Sequence, residues 1–140
     1  MIRSKSPYVL DDQIGYILRR VTQRHLMIFS ETIPSITTTQ FAVLARLEQL
    51  GPLSQNLLGR ETAMDAATVK GVVGRLARQG LVETTANPTD RRRLTVTLTD
   101  EGLALFNSSR DAALHVSAHT LGPLSASERT QLLALLARLT

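Results

Sequence analysis

The stretch from Asp65 to Leu98, DAATVKGVVGRLARQGLVETTANPTDRRRLTVTL, decides the fold. Asp65 is a helix-capping residue, because its short carboxylate can accept from the first free backbone N–H groups. Val69, Val72, Val73 and Leu76 recur at helical spacing and form one apolar face. Gly80 stands where a left-handed residue closes a helix. The spacing therefore predicts a helix from the Asp65 cap to about Gln79. The period then changes. Leu81 to Ala86 and Leu94 to Leu98 carry alternating or β-branched residues, and Asn87-Pro88-Thr89-Asp90 between them is turn chemistry. This predicts a β-hairpin.

Upstream, Ser54 can cap a short helix through about Thr62, with Leu57 and Leu58 facing inward, and Ala63-Met64 makes a tight turn to Asp65. Before it, Thr37 can cap a helix from about Thr38 to Leu50 with Phe41, Leu44 and Leu47 as its stripe, stopped by Gly51-Pro52. Further back, Ile14, Ile17, Leu18, Val21, His25 and Ile28 predict one long helix from Leu10 to Ile33, ended by Pro34. Downstream, Thr99 caps a helix reaching roughly His119, with Glu101 in its first turn and Gly102 close behind. Leu121-Gly122-Pro123-Leu124 breaks it. Ser125 and Glu128 form a capping box that opens a last helix to Leu139.

The expected architecture is mainly α with a small β-hairpin wing. A winged helix-turn-helix lobe occupies about residues 36–99, and dimerisation helices lie at about 8–33 and 100–140, all in a single domain over 1–140. The outer helices carry apolar stripes with little to cover in so small a domain, and a second copy would bury them.

Composition narrows the possibilities. The chain has 140 residues, 43% of them apolar, which suffices for a core. No apolar run approaches the ~18 residues of a membrane span, and Met1-Ile2-Arg3-Ser4-Lys5 lacks the apolar segment of a signal peptide. The expected compartment is the cytoplasm. Cysteine is absent, which excludes disulfides, thiolate metal sites and thiol redox sensing. Net charge is +4. Seven basic residues (Arg60, Lys70, Arg75, Arg78, Arg91, Arg92, Arg93) against four acidic ones (Glu61, Asp65, Glu83, Asp90) put +3 between residues 60 and 93. A mid-sequence excess of this kind suits a polyanionic partner.

The helix after Asp65 shows Ala66, Ala67, Thr68, Lys70, Gly71, Gly74, Arg75 and Arg78 on its outward face. Small residues near its start let the backbone approach a groove floor. Lys70 could read a guanine edge, and Thr68 a thymine methyl or a phosphate. A helix N-terminus also favours a phosphate. Arg75 and Arg78 suit the flanking backbone. The alternative for this helix is an ordinary surface with three cations. Asp90-Arg91-Arg92-Arg93 puts three guanidiniums on a tight turn. Arginine enters a narrow minor groove, where the negative potential is strongest, and Asp90 could hold one guanidinium in a bidentate pair. The alternative there is a solvated loop with a local salt bridge. The candidate DNA-binding set is Ser54, Ala66, Ala67, Thr68, Lys70, Gly71, Arg75, Arg78, Asp90, Arg91, Arg92 and Arg93.

The chain resembles the MarR family of bacterial regulators. The resemblance rests on residues 36–44 (ITTTQFAVL), 65–69 (DAATV), 75–82 (RLARQGLV), 87–92 (NPTDRR) and 96–102 (VTLTDEG). It implies a homodimer built on the first and last helices, a pseudo-palindromic operator, recognition helices in the major groove and wing arginines in the minor groove. By the family's D-x-R pattern, Arg92 would be the minor-groove arginine and Asp90 its orienter. It also implies a repressor, not an enzyme, released by a small ligand, often an aromatic acid. No cofactor is required. Residues 8–20 with Gln23, Arg24 and His25 are similar to members controlling catabolism of nicotinate- or hydroxybenzoate-type acids.

For the effector, the family implies a site between the dimerisation helices and the DNA-binding lobe. Tyr8, Tyr16, Arg20, Arg24, His25 and Phe41 are the candidates. His25 sits in the apolar stripe. It could meet a carboxylate or phenolate, or bond a backbone carbonyl as a core histidine. Arg20 and Arg24, with Arg19, could clamp a carboxylate or serve as surface or interface charges. The aromatic residues could wall a ligand or simply pack. His115 and His119, four apart on one helix, open the alternative of a zinc-responsive regulator completed by Glu31, Asp111 or His25. A helical interaction module without DNA is the remaining alternative, but it leaves the arginine-rich turn unexplained. No nucleophile–base spacing, phosphate loop or carboxylate pair points to catalysis.

Overall fold

The computed structural model describes residues 7–140; the Met1–Lys5 reading lies outside them. A 3₁₀ turn, Leu10–Asp12, precedes six helices: α1 (Ile14–Thr32), α2 (Thr38–Leu50), α3 (Gln55–Glu61), α4 (Ala66–Arg78), α5 (Asp100–Thr120) and α6 (Ala126–Ala137). Three short strands, β1 (Leu53–Ser54), β2 (Val82–Ala86) and β3 (Leu94–Leu98), form one antiparallel sheet in the order β1-β3-β2. The long first helix expected from Leu10 is thus two pieces. Gln13 is extended, and its side-chain Nε2 donates to the Val9 carbonyl at 3.0 Å, closing the 3₁₀ turn as a separate unit. The apolar stripe that sustains α1 begins only at Ile14.

Local chemistry places the ends of the remaining helices. Thr37 caps α2, and Gln40 returns the bond to the Thr37 backbone, a capping box. Gly51, with φ of 77°, turns the chain out of α2. Ser54 caps α3 through the Leu57 N–H. Between α3 and α4, Ala63 takes a left-handed conformation, a cost of roughly 1–2 kcal/mol. It holds because Met64 N–H donates to the Gly59 carbonyl at 2.8 Å, and a Cβ at Gly59 would come within 3.1 Å of the Met64 carbonyl oxygen. Thr99 caps α5 and Ser125 with Glu128 boxes α6, as their sequence predicts.

The hairpin pairs Val82 with Leu98 through to Ala86 with Leu94. Strand β1 was not expected. Its two residues, Leu53 and Ser54, carry no period of their own and pair only because β3 passes beside them, at Val96 and Thr95.

One core holds the lobe together. Val69, Val72, Val73 and Leu76 of α4 are buried, with Val43, Leu44 and Leu47 of α2, Leu58, Val82 and Val96. It continues through Phe29, Phe41 and Phe106, whose rings meet edge-on with centroids 6.1 and 5.4 Å apart. Phe41 therefore joins α1, α2 and α5 as core packing. The hairpin is bound to α5 at a crowded junction. Thr99 N–H donates to the Leu81 carbonyl, Thr99 Oγ1 to the Gly80 carbonyl at 2.7 Å, and Gly102 N–H to Thr99 Oγ1 at 3.0 Å. A Cβ on Gly102 would collide with the Leu81 carbonyl oxygen and lie 2.8 Å from Leu98 Cδ1. Glycine at this position is thus steric.

Candidate nucleic-acid interface

Helix α4 is fixed by its dry inner face and its cap. Asp65 accepts from the Thr68 N–H at 2.7 Å, and the Thr68 backbone and hydroxyl bonds hold its carboxyl below the usual carboxylate range. The cap therefore already takes one of the N-terminal amides that a phosphate would seek. Ala66, Ala67, Thr68, Lys70, Arg75 and Arg78 are exposed, and Gly71 is half-buried. Lys70 stands without an ion pair or hydrogen bond among the described residues. Arg75 folds back along the helix, its Nε donating to the Gly71 carbonyl at 3.3 Å.

The wing turn is a network around two side chains. Asn87 Oδ1 accepts from the Thr89 N–H and hydroxyl. Asn87 N–H donates to the Arg93 carbonyl, and Arg93 N–H to the Asp90 carbonyl. Asp90 Oδ1 accepts from the Arg92 N–H at 3.0 Å. Its two oxygens then divide between two guanidiniums: Oδ1 lies 3.7 Å from Arg92 Nε and Oδ2 lies 3.9 Å from Arg93 Nε. The bidentate hold on one arginine is corrected to this shared one, because the tight turn brings both side chains alongside a single carboxylate. The Arg92 side chain is 96% exposed, so it is oriented yet free to enter a groove. Arg91 is exposed as well.

Two clefts flank the wing. One, of about 580 Å³, runs along α4 past Lys70, Gly71, Arg75 and Arg78 to Thr84. The other, of about 190 Å³, lies between α3 and the wing and is lined by Ser54, Gln55, Asn56, Arg60, Arg92 and Arg93. Gln55 and Leu94 border both. Sequence reasoning missed Gln55, Asn56 and Arg60 as site residues. Arg60 was visible only as part of the mid-chain charge excess, and the two amides give no signal until α3 packs beside β3.

None of the six effector candidates lines the two wing clefts or the groove under the end of α1. Arg24 caps α5 instead, donating to the carbonyls of Thr120 at 2.6 Å and His119 at 3.1 Å. His25 Nδ1 lies 2.8 Å from Thr120 Oγ1, so it is half-buried and bonded to a hydroxyl, not to a core carbonyl. Tyr16 is half-buried, and Tyr8 and Arg20 are exposed toward the N-terminal end of α1. His115 and His119 have ring centroids 6.3 Å apart. No third histidine or carboxylate joins them into a possible metal group among the described residues. The zinc alternative therefore loses the ligand set that zinc needs.

A helix-turn-helix with an exposed basic recognition face and an arginine-tipped wing defines a winged-helix DNA-binding protein. The sequence profile described as MarR family matches residues 35–93. The chain is 39% identical over 136 residues to the HTH-type transcriptional repressor NicR of Pseudomonas putida, covering 96% of this chain and 86% of the relative. A probable transcriptional regulator from Pseudomonas aeruginosa superposes with a TM-score of 0.89 at 49% identity, covering 94% of this chain and all of the other. BpsR of Bordetella bronchiseptica, whose DNA binding is regulated by 6-hydroxynicotinic acid, superposes with a TM-score of 0.89 at 39% identity over 96% and 97% of the two chains. The chain belongs to the MarR family and is a DNA-binding transcriptional regulator, which overturns the interaction-module alternative.

Proposed function

We propose that the protein is a homodimeric repressor that leaves a pseudo-palindromic operator when a small aromatic acid binds. The observation that carries the DNA reading is the shared border of the two clefts. It joins the outer face of α4 to the wing arginines in one continuous cationic surface over a dry core. Lys70 and Thr68 read base edges from the major groove, with Ala66, Ala67 and Gly71 permitting close approach. Arg75 and Arg78 hold the flanking phosphates. Arg92, oriented by Asp90 and flanked by Arg91 and Arg93, enters the minor groove. Ser54 sets the start of α3 against the wing.

The dimer reading rests on uncovered apolar surface. Ile14, Ile17, Leu18 and Val21 of α1 and Leu133, Leu135 and Leu139 at the C-terminus are exposed, and α6 buries no residue at all. A second copy covering these faces gives the two recognition helices one operator, with half-sites about one helical turn apart. Residues 36–99 then bind DNA while 8–33 and 100–140 hold the dimer. No helix among the described residues is long and apolar enough to cross a membrane, and a regulator of this kind works in the cytoplasm with its DNA.

Similarity to BpsR over nearly the whole chain supports an aromatic acid as effector. Arg20 is exposed and Tyr16 half-buried on α1, beside the apolar face that a second copy would cover, and the second protomer completes the pocket. His25 and Arg24, tied to the end of α5, relay ligand binding into the tilt of the DNA-binding lobes. Fluorescence anisotropy with the duplex upstream of the gene, titrated with nicotinate, hydroxynicotinates and hydroxybenzoates, tests this. Release by one acid supports the reading, and tight binding indifferent to all of them refutes the effector class. Absence of any duplex binding would refute the operator model.

A further inference from the structure

We propose that the cleft between α3 and the wing seats a backbone phosphate of the bound duplex, with Arg60 as its anchoring cation. The inference rests on the DNA reading above but concerns a site on the far side of the wing from the recognition helix. Three arginines, Arg60, Arg92 and Arg93, line a space of about 190 Å³, and no acidic residue lines it with them. Asp90 meets Arg92 and Arg93 from the loop side, and one carboxylate offsets one of the three charges at most. Arg60 has neither an ion pair nor a hydrogen bond from its side chain among the described residues, although Glu61 beside it pairs with Arg46 at 3.9 Å.

Three cationic residues around one small cleft make it a favourable place for an anion. The remaining lining suits an anion that is already fully charged. Gln55 and Asn56 offer neutral amide donors, and Ser54 contributes a hydroxyl. A guanidinium fork matches two phosphate oxygens at once. Location selects the source. Gln55 and Leu94 border this cleft and the groove along α4 alike, so a duplex lying on α4 and the wing also passes over Arg60. The strand flanking the minor groove that Arg92 enters supplies the phosphate. Arg60 thus contributes affinity without sequence preference.

Full-length wild type, Arg60→Gln and Arg60→Lys are compared by anisotropy on the operator and on an unrelated duplex across a salt series. Arg60→Gln removes one phosphate contact from each protomer of the bound dimer, so it should lower the slope of log K against log salt by about 1.8 on both duplexes. The affinity gap between wild type and Arg60→Gln should narrow roughly tenfold between about 50 and 200 mM salt, as that slope requires. The ratio between the two duplexes should stay unchanged, and lysine should retain the wild-type slope. A wild-type slope in Arg60→Gln overturns the proposal. A free anion is separated by adding inorganic phosphate at constant ionic strength. If phosphate weakens wild type but not Arg60→Gln, and the slopes are equal, the cleft binds a free ion and the proposal is wrong. Wild type binding no duplex would instead overturn the DNA reading itself.

Discussion

Gly102→Ala should destabilise the protein even though it replaces glycine by the best helix former inside a helix. Gly102 is in the first turn of α5, where alanine would ordinarily gain up to about 1 kcal/mol. In this position the added methyl collides with the Leu81 carbonyl oxygen and lies 2.8 Å from Leu98 Cδ1. Relief requires α5 to move off the hairpin. That strains the bond from Thr99 N–H to the Leu81 carbonyl, 3.2 Å long, whose loss costs about 0.5–1.5 kcal/mol. Overpacking against fixed backbone adds about 1–3 kcal/mol. The net expectation is a loss of roughly 1–3 kcal/mol. For a chain of 140 residues that is a fall in Tm of about 3–10 °C. Thermal melts followed by circular dichroism, at matched protein concentration, measure it. Gly74→Ala is the control. Its methyl would meet only Arg78 Nη1, at 3.7 Å, so its melting temperature should hold or rise. A Gly102→Ala variant as stable as wild type would refute the steric account of this glycine.

Lys70→Ala should weaken operator binding and relax base preference at one position in each half-site, by about 1–3 kcal/mol of discrimination. Arg92→Ala should weaken binding to many sequences, and an equally sequence-blind loss from Lys70→Ala in a competition assay would contradict the base-reading role of Lys70. Arg24→Gln removes the guanidinium from the last carbonyls of α5. It should cost about 0.5–1 kcal/mol in denaturant unfolding, and should raise amide exchange at residues 117–120 first. Acid should loosen the caps of α4 and α6. Asp65 and Glu128 are both held below their ordinary values, each chiefly by a backbone hydrogen bond, from Thr68 and Ser125. A folded-state value below the unfolded one means the stabilisation is complete above the unfolded value. It is lost as pH falls through the folded one. Stability should therefore drop on acidification below about pH 4, and Asp65→Asn should flatten that dependence. An unchanged pH profile in the variant would show that Asp65 is not a source.

Much of this protein was legible from local pattern. The inner face of α4, Val69, Val72, Val73 and Leu76, is a helical period, and the structure buries the same four residues. Thr37, Ser54, Asp65, Thr99 and Ser125 cap helices because a capping bond spans only three residues. The wing turn is likewise short-range, since Asn87 and Asp90 bond their own neighbours. These features depend on residues close along the chain, so a sequence determines them by itself.

Tertiary structure decided whatever depends on residues far apart. Arg24 looked available for a carboxylate, but the end of α5, over ninety residues later, supplies its carbonyls. Phe41 looked equally suited to a ligand wall, and Phe29 and Phe106 make it core. Strand β1 exists only because β3 runs beside it, and the cleft of Arg60 exists only because α3 meets the wing. Charge, capping and period are properties of segments. Which polar group a side chain meets, and whether three arginines face solvent singly or share one cleft, follows from how those segments pack.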